Sequence, residues 1–218
     1  MRDSKTKDEI LVMTNCKPMT DHWSDCIVNP TLSFWARAWL KTQPDRETAW
    51  QMCNQGDWML CLLGWLAGEP ESESRRKLVL CVCACVRPVL KCVPAGEASQ
   101  AVDIAERWAR RGQGVTLEQV AHAAYAAAHV AYCANYHNSC LAYVSFAAAH
   151  AAHAAHVVDA YSIACSASYT AVNAIFADFT VFSSSSYKSA FQKCADIVRE
   201  HYPEWPKNLI VEKEPDHA

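Results

Sequence analysis

From Val115 to Tyr202 the chain runs 88 residues without a glycine or a proline. Nothing in that span strongly breaks a helix, so it reads as helix throughout. One helix of that length would reach about 130 Å at roughly 1.5 Å per residue. A globular chain must fold it back, and Asn135–Asn138 and the serine run Ser183–Ser186 are where the composition offers a break. All six glycines lie between Gly56 and Gly114, and six of the nine prolines precede residue 115. Short punctuated elements therefore come first and long ones follow.

The long part is built largely of alanine, with 22 between Ala121 and Ala177. Alanine is the best helix former, and its small side chain lets helices approach closely. It also explains why 51% hydrophobic residues yield a mean hydropathy of only -0.09. From Val115 to Tyr187 the only charged side chains are Glu118, Asp159 and Asp178, and no lysine or arginine occurs from Gly112 to Tyr187. The run from Gln119 to Val158 has no formal charge and exceeds the length needed to span a membrane. Six histidines and two asparagines within it, and its reliance on alanine, argue against that.

The formal net charge is -3, and basic residues cluster only at Arg75-Arg76-Lys77 and Arg107–Arg111. Two small patches on an acidic chain read as solvated helix ends, not a nucleic-acid surface. The N-terminus, Met-Arg-Asp-Ser-Lys-Thr-Lys-Asp-Glu, has no apolar core of a secretory signal. The expectation is a cytoplasmic protein whose twelve cysteines are reduced and serve as small buried hydrophobes.

The earlier part predicts helices over Thr31–Lys41, capped near Thr31, and Asp45–Cys53. A third follows over Trp58–Ala67, with Asp57 as its N-cap. Ser74 is read as the cap of a helix over Arg75–Cys92, and Ser99–Arg111 forms another that Gly112 and Gly114 end. Thr116 and Gln119 form a capping box for the next. Leu78–Val86 (LVLCVCACV) fits a buried strand or a buried helix; with no partner strand in sight, a central helix is favoured. The fold class is all-α, a multi-helix bundle with Ala-rich C-terminal helices. Residues 1–30 form a polar segment, 31–203 a single helical domain (short helices over 31–114, Ala-rich helices over 115–203), and 204–218 a tail.

Tyr125, Tyr132, Tyr136 and Tyr143 are spaced 7, 4 and 7, which places them in one narrow sector of a helix. That stripe is either a packing seam or an aromatic recognition surface. A surface helix normally shows a charged face, and this tract has almost no charge to show. Part of its Ala/Tyr/His face should remain exposed as an interaction surface, with Tyr125, Tyr132, Tyr136, Tyr143, His129 and His150 as its candidate residues. A homo-oligomer is the simplest closed solution.

Catalytic and metal patterns are weak. Cys81, Cys85 and Cys92 share a helix face while Cys83 points elsewhere; zinc sites normally take Cys-x₂₋₄-Cys pairs from two places, so these read as a packing stripe. His150, His153 and His156 step by three and drift around a helix, and no His-Glu-x-x-His occurs. They read as polar spacers. No catalytic residues, metal or cofactor are assigned.

Several segments resemble an immunity-protein family of phage and bacterial genomes. These are Asn54–Leu66 with its Gly56-Asp57-Trp58-Met59-Leu60 core, Leu78–Val93 followed by Pro94-Ala95-Gly96-Glu97, Ala101–Arg110 (AVDIAERWAR), the Ala/Tyr-rich tract opened by Thr116–Val120, and Lys193–His201 (KCADIVREH). The resemblance covers roughly residues 45–203. This chain reads Ala98-Ser99-Gln100 where many relatives carry Asp-Arg-Pro-Arg. The resemblance implies a non-enzymatic protein that neutralises a protein target, a toxin or defence component, by direct binding, and it supplies no catalytic residues. The alternative, from the residues alone, is a helical protein that sequesters a small ligand, or a metal-dependent enzyme, with a Tyr/His-lined site between the Ala-rich helices.

Overall fold

In a computed structural model the described residues are 22–27, 32–112, 114–134, 139–157, 160–177 and 184–206. Of these, 76% are helical and none lies in a strand, which settles Leu78–Val86 as helix. The helices are α1 (Phe34–Leu40), α2 (Arg46–Met52), α3 (Gly56–Leu66), α4 (Glu73–Val86), α5 (Glu97–Ala109), α6 (Leu117–Ala134), α7 (Ser139–His153), α8 (Ala160–Ala177) and α9 (Ser184–His201). Short 3₁₀ turns occupy Trp23–Cys26 and Arg87–Cys92.

The helix starts follow local hydroxyl and carboxylate chemistry, with some shifts from the predicted positions. Ser33 caps α1 by accepting from the Ala36 N–H at 3.1 Å; Thr31 lies outside the described residues. Asp45 caps α2 through the Thr48 N–H at 2.7 Å. Ser72, not Ser74, caps α4 through the Arg75 N–H, while the Ser74 hydroxyl donates to the Ala67 carbonyl at 2.8 Å. The predicted helix over Arg75–Cys92 stops at Val86 and tightens into 3₁₀, because Pro88 has no N–H to continue the ladder. Cys92 is consequently exposed and leaves the cysteine stripe, whereas Cys81, Cys83 and Cys85 are all buried. The capping box before α6 forms as expected: the Thr116 N–H donates to Gln119 Oε1 at 2.9 Å, and the Gln119 N–H donates to Thr116 Oγ1 at 3.2 Å.

α4 is the centre of the bundle. It packs against α3, α5, α7, α8 and α9, and Leu78, Val79, Cys81, Val82, Cys83 and Val86 are wholly buried. Beside it, α6 lies against α7 and α7 against α8 through alanine. Ala124, Ala127 and Ala131 of α6, Ala147, Ala148, Ala151 and Ala152 of α7, and Ala164 and Ala167 of α8 expose nothing to solvent. Among its described residues the 88-residue span holds four helices, one more than its two break candidates predict. The extra break follows His153. There Arg75, itself buried, donates to the Ala154 carbonyl at 3.0 Å and the Val157 carbonyl at 2.6 Å, and its other terminal nitrogen reaches the Gly68 carbonyl at 2.5 Å. A guanidinium thus satisfies carbonyls left open where α7 ends.

A tryptophan cluster ties the first and last described segments together. Trp205 meets Trp23 and Trp50 edge-on at 5.6 and 5.9 Å. The Trp50 indole N–H donates to the Tyr202 carbonyl at 2.8 Å, and Arg199 donates to the Cys53 carbonyl at 2.7 Å.

α3 and α9 cross with almost no gap. A Cβ added at Gly56 would stand 2.5 Å from Cys194 Cβ and 2.8 Å from the Ala195 nitrogen. Asp57, read above as an N-cap, lies instead inside the first turn of α3, after Gln55 in the cap position. Its Oδ1 is buried without a partner, and burial pushes its carboxyl up to about 6. Two outcomes follow from this crossing. Gly56→Ala is expected to lower unfolding stability by about 3 kcal/mol, because the neighbours are backbone and a buried side chain. A carboxyl whose folded value is raised stabilises least once ionised, so Asp57 weakens the fold as pH rises from about 4 to 6. Asp57→Asn is therefore expected to gain about 1–2 kcal/mol at pH 7 and nothing at pH 4; urea unfolding at the two pH values measures both.

Candidate functional site

The tyrosine stripe belongs to two helices, not one. Tyr125 and Tyr132 stand on α6 and Tyr143 on α7, while Tyr136 lies outside the described residues. The regular spacing runs across the break between α6 and α7, so a single 100° projection misplaces Tyr143. All three described tyrosines are exposed, at 65%, 68% and 39% respectively, which decides against a buried packing seam.

A second stripe on α7 faces the first. Tyr143, Phe146, His150 and His153 recur at spacings of three and four, and so share one face. Two edge-on contacts bridge the helices: Tyr125 to His153 at 5.2 Å and Tyr132 to Phe146 at 5.2 Å. Phe146 then stacks on His150 at 6.3 Å. Edge-to-face and offset pairs of this kind are favoured by the ring quadrupole. The result is an aromatic and imidazole ledge across α6 and α7. Apart from Glu118, neither helix carries an Asp, Glu, Lys or Arg.

His129, exposed on α6, lies on the tyrosine side of the ledge, one turn from both Tyr125 and Tyr132. His150 is only partly exposed, and its buried Nδ1 has no partner. The drift expected of His150, His153 and His156 does not occur, because α7 ends at His153 and the turn after it brings His156 back. His153 Nδ1 and His156 Nε2 are 3.0 Å apart, one nitrogen donating to the other. That bond requires an unprotonated acceptor. Burial lowers the titration of His150, His153 and His156, with His153 down to about 4. Neighbouring imidazoles add to the effect at His153, and the Arg75 guanidinium adds to it at His156.

A shallow groove of about 360 Å³ separates α5 from α6. Ile104, Val115, Ala123 and Ala126 line it with apolar side chains, and Glu97, Gln100, Arg107 and His122 with polar ones. Among the described residues, no group of three or more His, Cys, Asp or Glu side chains is placed to hold a metal ion, and no helix is long and apolar enough to cross a membrane. Asp159 lies outside the described residues. The sequence reading also missed an exposed aromatic pair on α1, Phe34 and Trp35, edge-on at 5.5 Å; Phe-Trp adjacency in a short helix was its only signal.

The histidine pair sets an acid limit on the fold. Free histidine titrates near 6.5, above the folded values, so the unfolded chain binds more protons below that pH. Stability is fully present above about pH 6.5 and is lost as pH falls toward about 4. The variant His153→Gln/His156→Gln removes that dependence. The stability difference between wild type and variant is expected to change by about 2 kcal/mol in favour of the variant between pH 7 and pH 4.5, in a titration of urea midpoints. No family model, curated protein or solved structure matches this chain.

Proposed function

We propose that the chain is a non-enzymatic binding protein of immunity or counter-defence type. It neutralises a protein target, a toxin or a defence component, by direct contact through the α6–α7 ledge. One observation carries this reading: two adjacent helices, which together carry no Asp, Glu, Lys or Arg beyond Glu118, expose Tyr125, Tyr132 and Tyr143. Tyrosine supplies large contact area at a low cost in conformational entropy, and it is enriched among residues that dominate binding energy. Rigid alanine-packed helices beneath it fix the rings before binding, which reduces the ordering cost of association. The resemblance of residues 45–203 to an immunity-protein family points the same way. Without its target, the ledge closes on a second copy of the chain, since one self-complementary patch suffices for a two-fold dimer.

The groove between α5 and α6 favours a second reading, a helical protein that sequesters a small ligand. Its volume of about 360 Å³ falls in the range of small-molecule sites.

The two readings separate by experiment. Tagged protein is used to capture partners from bacterial lysate, and each captured protein is then purified and remixed with the pure chain. A stoichiometric complex supports the first reading. Tyr132→Glu is expected to weaken that complex by about 100-fold, in the range of about 2–3 kcal/mol for an interface hot spot, and to turn a dimer into a monomer in sedimentation velocity. A monomer both before and after, with the complex unchanged, refutes the ledge. His122→Glu, in the groove, should leave the complex intact.

A further inference from the structure

The groove between α5 and α6 carries opposite charges toward its two ends. Glu97 stands in the first turn of α5 and Arg107 in its last, and both line the groove. Gln100 and Ile104 lie between them at steps of three and four, so all four share one helix face. Ten positions separate the two charges, about 15 Å along the axis at roughly 1.5 Å per residue.

Arg107 differs from every other described arginine. The others donate to a carbonyl or a carboxylate. Its neighbours Arg110 and Arg111 are held by Glu106 and Glu73. Among the described residues the Arg107 guanidinium has no hydrogen-bond or ion-pair partner, and neither has the Glu97 carboxylate. A planar guanidinium with its donors uncommitted matches a carboxylate, which it grips through two parallel N–H bonds. Glu97 offers the reverse match, an acceptor for an ammonium group. Between them Ile104, Ala123 and Ala126 form an apolar wall, and Gln100 and His122 supply hydrogen-bonding groups along it.

A short free peptide has these parts in this order. Its ends carry opposite charges, its backbone donates and accepts along its length, and four extended residues cover about 14 Å. A fatty acid or an alkylamine of that length meets only one of the two charges. We propose that the α5–α6 groove binds a free peptide of about four residues with small apolar side chains, its carboxylate on Arg107 and its ammonium on Glu97. Small side chains suit a wall that is alanine on the α6 side. The proposal rests on the small-ligand reading of this groove given above and is independent of the ledge.

The test titrates the full chain with the tetrapeptide Ala-Val-Ala-Val by calorimetry at pH 7 and low salt. The same peptide is also used acetylated at its N-terminus or amidated at its C-terminus. The free peptide is expected to bind with a Kd of about 100 µM or below, and each block to weaken it by about five- to tenfold. Arg107→Gln weakens the free peptide by the same factor and erases the effect of amidation, while acetylation still weakens binding. Glu97→Gln does the reverse. Both side chains are exposed and unpartnered, so circular dichroism of the variants is expected to match wild type. The proposal is overturned if the blocked peptides bind as tightly as the free one, or if each variant weakens all three peptides alike. A separate titration with 1-anilinonaphthalene-8-sulfonate reads the groove itself. Dye binding that Ala126→Trp abolishes, with no peptide binding, overturns the peptide and leaves the groove reading standing. Neither dye nor peptide binding removes both.

Discussion

Arg75 is the contact on which the arrangement of the long helices depends. It is 2% exposed and its hydrogen bonds run to carbonyls, not to a carboxylate. Burial pulls its titration downward, yet a guanidinium stays charged in any protein interior. The charge is spread over the ends of two connections: Gly68 after α3, and Ala154 with Val157 after α7. Those carbonyls lie at helix C-termini, where the aligned peptide dipoles are negative. One side chain thereby holds the turn in which α7 stops. It also places the turn that returns His156 to His153.

The position of the ledge follows from that stop. α6 and α7 run alongside each other through alanine faces, so the larger residues of both helices are left on the outside. Tyr125 meets His153 and Tyr132 meets Phe146 because the inner faces approach closely enough for the outer rings to touch. A leucine-packed pair would set the axes farther apart and separate those rings. The alanine that makes the tract unpromising as a hydrophobic core is thus what assembles its aromatic surface.

Local chemistry was legible in the sequence, and tertiary chemistry was not. The Thr116–Gln119 box is a contact over three residues, and it forms as read. Ser72 and Ser74 carry the same hydroxyl two positions apart, and the competition of both for the Ala67 carbonyl has no trace in the sequence. The break after His153 depends on an arginine 79 residues earlier, so no window on the alanine tract contains its cause. Asp57 looked like a cap because aspartate favours that position. The helix starts two residues earlier, at Gly56, where α3 crosses close over α9, and the carboxylate is buried inside its first turn. For the site, the individual tyrosines and His129 were found by spacing, but Phe146 and His153 were not. Their role appears only when α7 is laid beside α6.

Packing through alanine also shapes how this chain can change over generations. At a leucine-filled interface a substitution can shrink, leaving a cavity, or reshape, and neighbours repack. At positions such as Ala127, Ala148 and Ala164, with no exposed surface, almost nothing can shrink, and anything larger must push two backbones apart. Drift there is confined to residues of about alanine's size. The buried Ser145 and Ser168 and the partly buried Cys165 already sit among those alanines. Descendants of such a chain would preserve side-chain volume along α6, α7 and α8 far more strictly than side-chain identity. The exposed ledge, free of that restriction, is where sequence can diverge fastest.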